Sequence, residues 1–396
     1  MKISERLKDK RILIWGYGRE GKSTERFIKN FCRVKSLDIF EGKADEIDES
    51  LYDYIIKSPG INVEPYSEKY TSQTELFLEE FSSQTVGITG TKGKSTTSTM
   101  TYRVLLSCLN ENVLLVGNIG LPCLDYYDKV NKDTVIVYEM SCHQLNHNKF
   151  SPHIAVFLNL YEDHLDYYKT KENYFGTKKN ITAHQSENDY FFYGDNVPFI
   201  ETAAHKKMIS FNKPMRFDMK LKGAHNQFNA TFVYTICTEI FGCEGEKVKK
   251  AIEDFNGLTH RMEYVGSVGG IEFYNDSIST IPEATIVAIN SIQNVKTVII
   301  GGMDRHIHYD ILVEFIKNHA EYNYILSYES GKRIYEQVSS LSYCLYENDL
   351  VSSVKKAKEI TPEGCACLFS PAAASYGYFK NFEERGDAYK AAVLEF

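Results

Sequence analysis

The sequence has no long apolar run and no excess of basic residues, with 45 lysines and arginines against 53 aspartates and glutamates. No stretch of its 396 residues approaches the roughly 20 apolar residues that a membrane-spanning helix needs. The N-terminus, MKISERLKDKRILIWG, lacks the apolar segment of a secretory signal. The formal charge of −8 argues against a general polyanion binder, because binding to a nucleic-acid backbone depends on clustered lysine and arginine. We therefore expect a cytoplasmic protein that binds neither nucleic acids nor membranes.

Paired cysteines are also missing. The nine cysteines are scattered through apolar segments, and none forms a CxxC pair or an alternating pattern with histidines. They are expected to be reduced core residues, as in proteins of the cytosol. The closest pair, Cys365 and Cys367, would share one face of a strand, which favours packing over metal binding.

The sequence does contain a pattern typical of a phosphate-binding loop. Residues 85–100, TVGITGTKGKSTTSTM, predict a short strand, a loop with Gly90 and Gly93, and then a helix. Glycine lets the backbone approach a ligand closely and turn its N–H groups inward, and the helix N-terminus adds positive potential. The segment therefore predicts a cradle for the phosphates of a nucleotide.

Three polar side chains of this loop fit the same chemistry. Lys94 would reach the outer phosphates, and the hydroxyl of Ser95 or Thr96 would hold Mg²⁺. The spacing departs from the usual G-x-x-x-x-G-K-[ST] pattern, which would need glycine at Ile88. The alternative is a strand-to-helix turn without a ligand, but such a turn seldom needs both glycines and the lysine.

A second glycine-rich turn lies near the N-terminus. The β-like run of residues 11–15 leads into GYGREG and a helical segment, and Asp38 follows about twenty residues later at the end of the next strand. This pattern outlines a nucleotide-binding βαβ unit. Alone it would also fit a dehydrogenase with Asp38 on an adenosine ribose, but a simple NAD enzyme has no use for a second phosphate loop. The glycines of the turn are Gly16, Gly18 and Gly21.

Polar residues stand at the ends of several predicted strands. The strand in YDYIIKSPGI would end in the turn Ser58, Pro59 and Gly60, VLLVG would end before Asn118, and VIVYE would end at Glu139. Ligands of open parallel sheets bind at the carboxyl ends of the strands. Glu139 is therefore a natural Mg²⁺ ligand opposite the loop, because a carboxylate together with substrate phosphates usually holds that ion.

Three other residues are candidates for ligand contacts. His164 follows the predicted strand IAVFLNL and is a second candidate for the metal or substrate site. Asn226 and Asn229 lie three residues apart and would share one face of a predicted helix. They would either read the edge of a nucleotide base or cap and turn the chain.

Alternating apolar runs and helical segments predict an α/β fold of three domains. We expect a Rossmann-like N-terminal domain at residues 1–82 and a central parallel-sheet domain of the P-loop ATPase type at 83–258. A C-terminal Rossmann-like α/β domain would occupy residues 259–396.

Taken together and in order, these motifs resemble the Mur ligase family of peptidoglycan synthesis. The matching segments are GYGREG and SPGI; TGTKGKST, GNIG, YEMSCHQL, EDHLDYYKTKENYFGTKK and GAHNQFN; and HRMEYV, YNDS, IIGGMDR and FSPAAASYGYFKNFEERG. The resemblance implies an ATP- and Mg²⁺-dependent ligase that joins D-glutamate to UDP-N-acetylmuramoyl-L-alanine through an acyl phosphate. It also implies that the first domain binds the UDP-linked substrate rather than NAD, the central domain binds ATP, and the third domain binds the amino acid. We expect a monomer.

The resemblance also implies roles for individual residues. The UDP-linked substrate would contact Gly16, Gly18, Gly21, Asp38, Ser58, Pro59, Gly60 and Asn118. ATP would contact Gly90, Thr91, Lys92, Gly93, Lys94, Ser95, Thr96, Asn226, Asn229, Arg261 and Asp276. The acceptor amino acid would contact Thr280, Arg305, Ser375, Tyr376 and Phe382. The catalytic set would be Lys94, Glu139, His164 and Lys178, and Mg²⁺ would be held by Ser95, Thr96, Glu139, His164 and a Lys178 carbamylated by CO₂.

One position departs from the family pattern. The usual NDSKAT is NDSIST here, so Ile278 replaces a lysine and removes a positive charge that Arg305 would partly supply. This leaves two alternatives open. One is a ligase of the same superfamily with another acceptor, such as L-glutamate, and the other is a catalytically silent nucleotide-binding homologue.

Overall fold

The computed structural model describes residues 1–109, 112–163, 165–221 and 223–395. The chain divides into two compact units, Met1–Phe255 and Asn256–Phe396, which are described separately below. Within the described residues, no helix has both the length and the apolar character that a membrane crossing requires. The domain boundaries near residues 82 and 258 remain predictions.

The first unit begins with a four-stranded parallel sheet of strand order β2-β1-β3-β4. Its strands are β1 (Arg11–Trp15), β2 (Ser36–Phe40), β3 (Tyr54–Lys57) and β4 (Tyr70–Thr71), and its helices are α1 (Ile3–Arg6), α2 (Arg19–Phe31) and α3 (Gln73–Phe81). The GYGREG turn joins β1 to α2, as the sequence predicts. Because α2 buries Phe27 and Ile28 against the sheet core, its N-terminus is fixed beside the carboxyl end of β1.

A second parallel sheet of six strands follows, with the order β10-β9-β8-β5-β7-β6 in the described part of the unit. Its strands are β5 (Thr85–Thr89), β6 (Val113–Gly117), β7 (Val135–Glu139), β8 (Ile154–Phe157), β9 (Tyr190–Gly194) and β10 (His205–Ile209). β5 is buried along its whole length between β7 and β8. The residues that follow these three strands therefore meet at one edge of the sheet.

The helices of this region are α4 (Lys94–Cys108), α5 (Cys142–Leu145), α6 (Leu165–Tyr168), α7 (Lys171–Lys178), α8 (Ala224–Glu239) and α9 (Gly245–Glu253). α4, α8 and α9 share one apolar core that includes Met100, Val104, Phe232, Ile236 and Val248. This packing fixes the position of α4, and therefore of the loop that precedes it.

The second unit contains a mostly parallel sheet with the order β11-β12-β16-β13-β14-β15, in which only the pair β11–β12 is antiparallel among the described strands. The strands are β11 (Glu263–Val268), β12 (Ile271–Asn275), β13 (Val295–Gly301), β14 (Asn323–Ser327), β15 (Cys344–Glu347) and β16 (Ala366–Phe369). The helices are α10 (Pro282–Ser291), α11 (Asp310–Asn318), α12 (Tyr328–Val338), α13 (Leu350–Ile360) and α14 (Phe382–Leu394). The predicted α/β fold class is confirmed.

Candidate functional site

The predicted phosphate loop is a turn between a buried strand and a helix. β5 ends at Thr89, α4 begins at Lys94, and both loop glycines have positive φ, +156° at Gly90 and +83° at Gly93. A Cβ added at Gly93 would lie 2.7 Å from Oδ1 of Asn229. Glycine at position 93 is therefore required both by the backbone conformation and by the close approach of α8.

Asn159, just after β8, holds the other side of the loop. Its Oδ1 accepts a hydrogen bond from the Lys92 N–H at 2.9 Å, and its Nδ2 donates to the Lys92 carbonyl at 3.0 Å. The Asn159 carbonyl also accepts from the Thr91 N–H at 2.9 Å. The sequence alone does not predict this role, and its only signal is a polar residue directly after an apolar run. This pairing fixes the loop backbone before any ligand binds.

Two lysines converge on the same part of the loop. Nζ of Lys94 donates to the carbonyls of Gly90 at 2.9 Å and Thr91 at 3.0 Å. Nζ of Lys178, at the end of α7, donates to the Gly90 carbonyl at 2.9 Å and to Oγ1 of Thr89 at 3.3 Å. Lys178 is only 1% exposed. Burial, and then the charge of Lys94, lowers the pKa of Lys178 to about 7, and burial also lowers the pKa of Lys94. Lys94, together with Lys178 in its protonated form, makes this site favourable for an anion.

Glu139, at the end of β7, provides the nearby negative charge. Its partner in the sheet is Ile88 of β5, and its side chain is fully buried. Oε1 accepts a hydrogen bond from Nδ2 of Asn118 at 3.0 Å, whereas Oε2 is buried without a hydrogen-bond partner among the described residues. An unpaired buried carboxylate oxygen is unfavourable unless a ligand pairs with it, and Mg²⁺ is such a ligand.

Of the other predicted metal ligands, the structure describes Ser95, Thr96 and Lys178 but not His164, which lies outside the described residues. Ser95 and Thr96 are half-buried in the first turn of α4. In the part of the chain that the structure describes, no three His, Cys, Asp or Glu side chains are grouped to hold a metal ion. The residues present nevertheless fit Mg²⁺, since this ion is commonly bound by one carboxylate together with hydroxyl, water and phosphate oxygens.

The remaining residues predicted to bind ATP in the first unit lie around the loop. Oγ1 of Thr91 accepts from the Tyr161 N–H at 3.0 Å, and the exposed Lys92 lies 3.6 Å from a carboxylate oxygen of Asp163. Asn226 and Asn229 are both buried on α8, and the amide of Asn229 faces Gly93. Whether either asparagine contacts a base stays a prediction.

A cavity of about 280 Å³ lies beside the two lysines. It is lined by Lys94 and Lys178, by Asn118, and by Pro59 and Gly60 in the turn that follows β3. Parts of the SPG turn, the GNIG segment and the phosphate loop therefore border one cavity, and their contacts with ligands stay predictions. Other lining residues are Glu20, Ser141, Cys142, His143, Gln144 and Tyr174, and none of them is among the predicted site residues.

A second cavity, of about 310 Å³, extends along the GYGREG turn. It is lined by Gly18, Ser58, Pro59 and Asn118 from the predicted set, together with Arg19, Glu20, Gly117 and Pro122. Gly16 and Gly21 shape the turn from behind, because a Cβ at Gly16 would lie 2.6 Å from Oγ of Ser58 and one at Gly21 would lie 2.1 Å from the Gly16 carbonyl. Asp38 is exposed on β2 and lines neither cavity.

In the second unit, two residues predicted to bind ATP differ in exposure. Asp276 is buried, and its oxygens accept hydrogen bonds from the Met262 N–H at 3.1 Å and Oγ of Ser370 at 2.7 Å. Burial raises the pKa of Asp276 to about 6. Arg261 is exposed. Asp276 therefore fixes the chain at Met262, directly after Arg261.

The residues predicted to bind the amino acid lie on the loops that follow strands β12, β13 and β16 of the second unit, and Phe382 begins α14. Nη2 of Arg305 donates to the Thr280 carbonyl at 3.0 Å. Ser375 is buried, Tyr376 is exposed, and Phe382 is half-buried at the start of α14. The structure therefore pairs Arg305 with Thr280, while the other three residues differ widely in their accessibility.

Arg385, on α14, connects two of these loops and is not among the predicted site residues. It is fully buried, and its guanidinium donates to Oγ and the carbonyl of Ser277 and to the carbonyls of Ala373 and Ala374 at 2.8–3.0 Å. Burial lowers its pKa to about 10. An arginine in a helix usually reads as a surface residue, so the sequence gives no local signal for this role.

The fold and the loop are those expected of an α/β protein that binds nucleotide phosphates, and the buried carboxylate beside the loop suits Mg²⁺. Residues 88–216, which include the loop and Glu139, match the family model described as the Mur ligase middle domain. Curated relatives match nearly the whole chain, some at 30% identity or more. The chain belongs to the Mur ligase family.

Two curated relatives and one solved structure show the extent of the similarity to this family. The UDP-N-acetylmuramoylalanine--D-glutamate ligase of Lactobacillus acidophilus is 32% identical over 412 residues, which covers 92% of this chain and 88% of the relative. The protein of the same name from Aquifex aeolicus is 30% identical over 417 residues, covering 97% and 98%. The crystal structure of MurF ligase from Thermotoga maritima in complex with ADP has a TM-score of 0.55 at 15% identity, covering 99% of this chain and 97% of that chain, and supports the fold alone.

Proposed function

We propose that this chain is an ATP-dependent ligase that adds D-glutamate to UDP-N-acetylmuramoyl-L-alanine, a step in peptidoglycan precursor synthesis. Relatives that match it over nearly its full length carry the name of that activity. The observation that carries the proposal is the phosphate loop with Lys94, Lys178 and the unpaired Glu139 oxygen around it. These groups suit phosphoryl transfer, which depends mainly on positioning and on neutralising charge.

The reaction has two steps. The substrate carboxylate attacks the γ-phosphate of ATP to give an acyl phosphate and ADP, and the amine of glutamate then displaces phosphate to form the amide. The N–H groups of the loop and Lys94 would bind the phosphates. Glu139, with Ser95 or Thr96 and His164, would hold Mg²⁺, which when bound neutralises charge on the phosphates.

Lys178 is proposed to be carbamylated in the working enzyme. A neutral amine combines with CO₂ to give a carbamate and a proton, so the modification replaces a cation by an anion. The surroundings of Nζ support this, because it is buried, bonds only neutral oxygens in the contacts described above and lies close to the charge of Lys94. Lys178→Ala is expected to lose activity and to regain part of it with short-chain carboxylates. Failure of every such carboxylate to restore turnover would contradict the carbamate.

The second unit is proposed to bind the acceptor amino acid. Arg305 is the cation of the predicted set, and a guanidinium suits a carboxylate because it can bind both oxygens. Ile278, two residues before Thr280, stands where the family usually has a lysine, so a positive charge is missing beside the predicted acceptor residues. The second candidate function is therefore a ligase with a different acceptor, such as L-glutamate.

The deciding experiment is ATP-dependent phosphate release with UDP-N-acetylmuramoyl-L-alanine and, in parallel, D-glutamate, L-glutamate or no amino acid. Release only with D-glutamate would support the proposed function and show that Ile278 is tolerated. Release with L-glutamate alone would reassign the acceptor pocket. Measurable ATP binding without release under any condition would favour a catalytically silent homologue.

An ATP-consuming reaction on a nucleotide-linked substrate favours a cytoplasmic location. Light scattering would test the expected monomer.

A further inference from the structure

Glu20, in the GYGREG turn, borders both cavities of the first unit. It lies in the first turn of α2, and its Oε1 accepts a hydrogen bond from Nε2 of Gln144 at 2.7 Å. Its Oε2 is buried and has no hydrogen-bond partner in the part of the chain that the structure describes. One carboxyl oxygen is therefore fixed by Gln144, and the other has no partner among the described residues although Glu20 itself borders both cavities.

Among the residues that the structure describes, no cation pairs directly with this carboxyl. Lys57 and Arg19 act on it electrostatically, but Nζ of Lys57 donates to the Ile61 carbonyl at 2.9 Å and Nη2 of Arg19 to the Gly120 carbonyl at 2.6 Å. The thiol of Cys123 and the hydroxyl of Tyr138 also lie near it. A buried carboxyl oxygen without a partner is unfavourable, so the site is incomplete without a ligand.

We propose that Glu20 contacts the nucleotide-linked substrate as a neutral carboxylic acid, and that its Oε2 hydroxyl donates a hydrogen bond to a phosphate oxygen bound at the N-terminus of α2. Gln144 holds Oε1 as the carbonyl oxygen of this acid. The inference rests on the proposed function, in which the UDP-linked substrate occupies these two cavities. It adds to the GYGREG turn a side-chain contact that the glycines alone cannot make.

Two features favour a donor over an acceptor at Oε2. The glycine turn and the helix N-terminus attract a phosphate, and an ionised carboxylate at the same place would repel it. The amide of Gln144 can only donate through Nε2, so it satisfies the carbonyl oxygen and leaves the proton for the other oxygen. In agreement with this, burial raises the pKa of Glu20, and a bound anion would raise it further.

Glu20→Gln and Glu20→Ala separate these possibilities. A glutamine keeps the shape, accepts from Gln144 and donates from its own amide. Glu20→Gln is therefore expected to bind UDP-N-acetylmuramoyl-L-alanine as tightly as the wild type does at the acidic end of the pH range, below the raised pKa of Glu20. Glu20→Ala loses the contact and is expected to bind about tenfold or more weakly, with a matching rise in KM and little change in kcat.

The pH dependence has a definite sign. Wild-type affinity is expected to fall as the pH rises through the raised pKa of Glu20, because the proton that donates is lost, whereas the affinity of Glu20→Gln should stay level to about pH 8.5. Glu25→Gln is the matched control. It makes the same change on α2, at a residue that bonds Tyr17 and Lys29 and lines neither cavity. Calorimetry without ATP measures the affinity, and Trp15 fluorescence checks the fold of each variant.

Three results would overturn the inference. Glu20→Gln binding as weakly as Glu20→Ala would show that the carboxylate accepts from the substrate. Glu20→Ala binding like the wild type would show that there is no contact, and equal pH profiles for the wild type and Glu20→Gln would show that no proton on this group matters. In all three, the wild type still binds and turns over the substrate. A wild-type chain that does not bind the UDP-linked substrate would contradict the proposed function itself, and with it this contact.

Discussion

Gly93→Ala tests the shape of the phosphate loop without depending on any ligand. Gly93 precedes α4 with φ of +83°, and the three nearest atoms to an added Cβ all belong to Asn229, at 2.7, 3.1 and 3.2 Å. Two separate penalties are therefore expected, one from the backbone conformation and one from the asparagine. The second penalty can be removed by a second substitution.

The magnitudes follow from these contacts. Alanine in the left-handed region costs about 1–2 kcal/mol, and forcing an atom into a packed site costs about 1–3 kcal/mol more. Gly93→Ala should therefore lower the free energy of unfolding by about 2–5 kcal/mol. In an Asn229→Ala background only the backbone penalty remains, so the same change should cost about 1–2 kcal/mol.

The assay uses the single tryptophan of the chain. Trp15 is buried in the first unit, so its fluorescence during urea unfolding reports on the unit that contains the loop. Gly18→Ala is the matched control, because Gly18 also precedes a helix but has φ of −72° and open space around an added Cβ. It should cost less than about 1 kcal/mol. Equal losses for Gly93→Ala with and without Asn229 would refute the steric argument, and a loss no larger than that of Gly18→Ala would refute both parts.

Three other predictions follow from buried charges. Lys94→Ala should reduce turnover about a thousandfold or more in the phosphate-release assay, because the lysine would neutralise charge on the reacting phosphates. Burial lowers the pKa of Lys57 to about 8, so the unfolded chain binds more protons above that pH and the stability of the wild type should rise from there to about pH 10. Lys57→Met should remove the contribution of Lys57 to this rise, leaving the contributions of Lys94 and Lys178. It should also increase the free energy of unfolding at pH 7 by up to about 3 kcal/mol, as measured by Trp15 fluorescence during urea unfolding. Arg385→Lys keeps the charge but loses the fork that joins Ser277 to Ala374, so KM for the amino acid should rise about tenfold, while an equal rise in KM for ATP would point to general damage.

Local patterns were enough to predict the elements that carry the site. The strand, loop and helix around Gly90 and Gly93 follow from a β-branched run, two glycines and a helical segment, and the structure confirms them. Glu139 is correctly predicted at the end of a buried strand beside the loop, because parallel strands bring their carboxyl ends to one edge. The resemblance to a known family, rather than any local pattern, drew attention to Lys178, which otherwise reads as a surface lysine.

The residues that the sequence did not reveal are those whose partners lie far away in the chain. From the sequence, Glu20 looks like an ordinary acidic residue in the first turn of a helix. Only the structure shows that it bonds Gln144, 124 positions later, borders two cavities and has a second carboxyl oxygen that is buried without a partner among the described residues. Arg385 reads as an exposed charge on a helix, yet its bonds reach 108 positions back to Ser277. In both cases the type of residue is informative only once burial is known, because a buried charge must be paired, neutralised or used. Arg385 is the paired case, because backbone carbonyls and Ser277 accept its hydrogen bonds. Lys178 is expected to lose its positive charge by carbamylation, and Glu20 is proposed to use its carboxyl on the substrate.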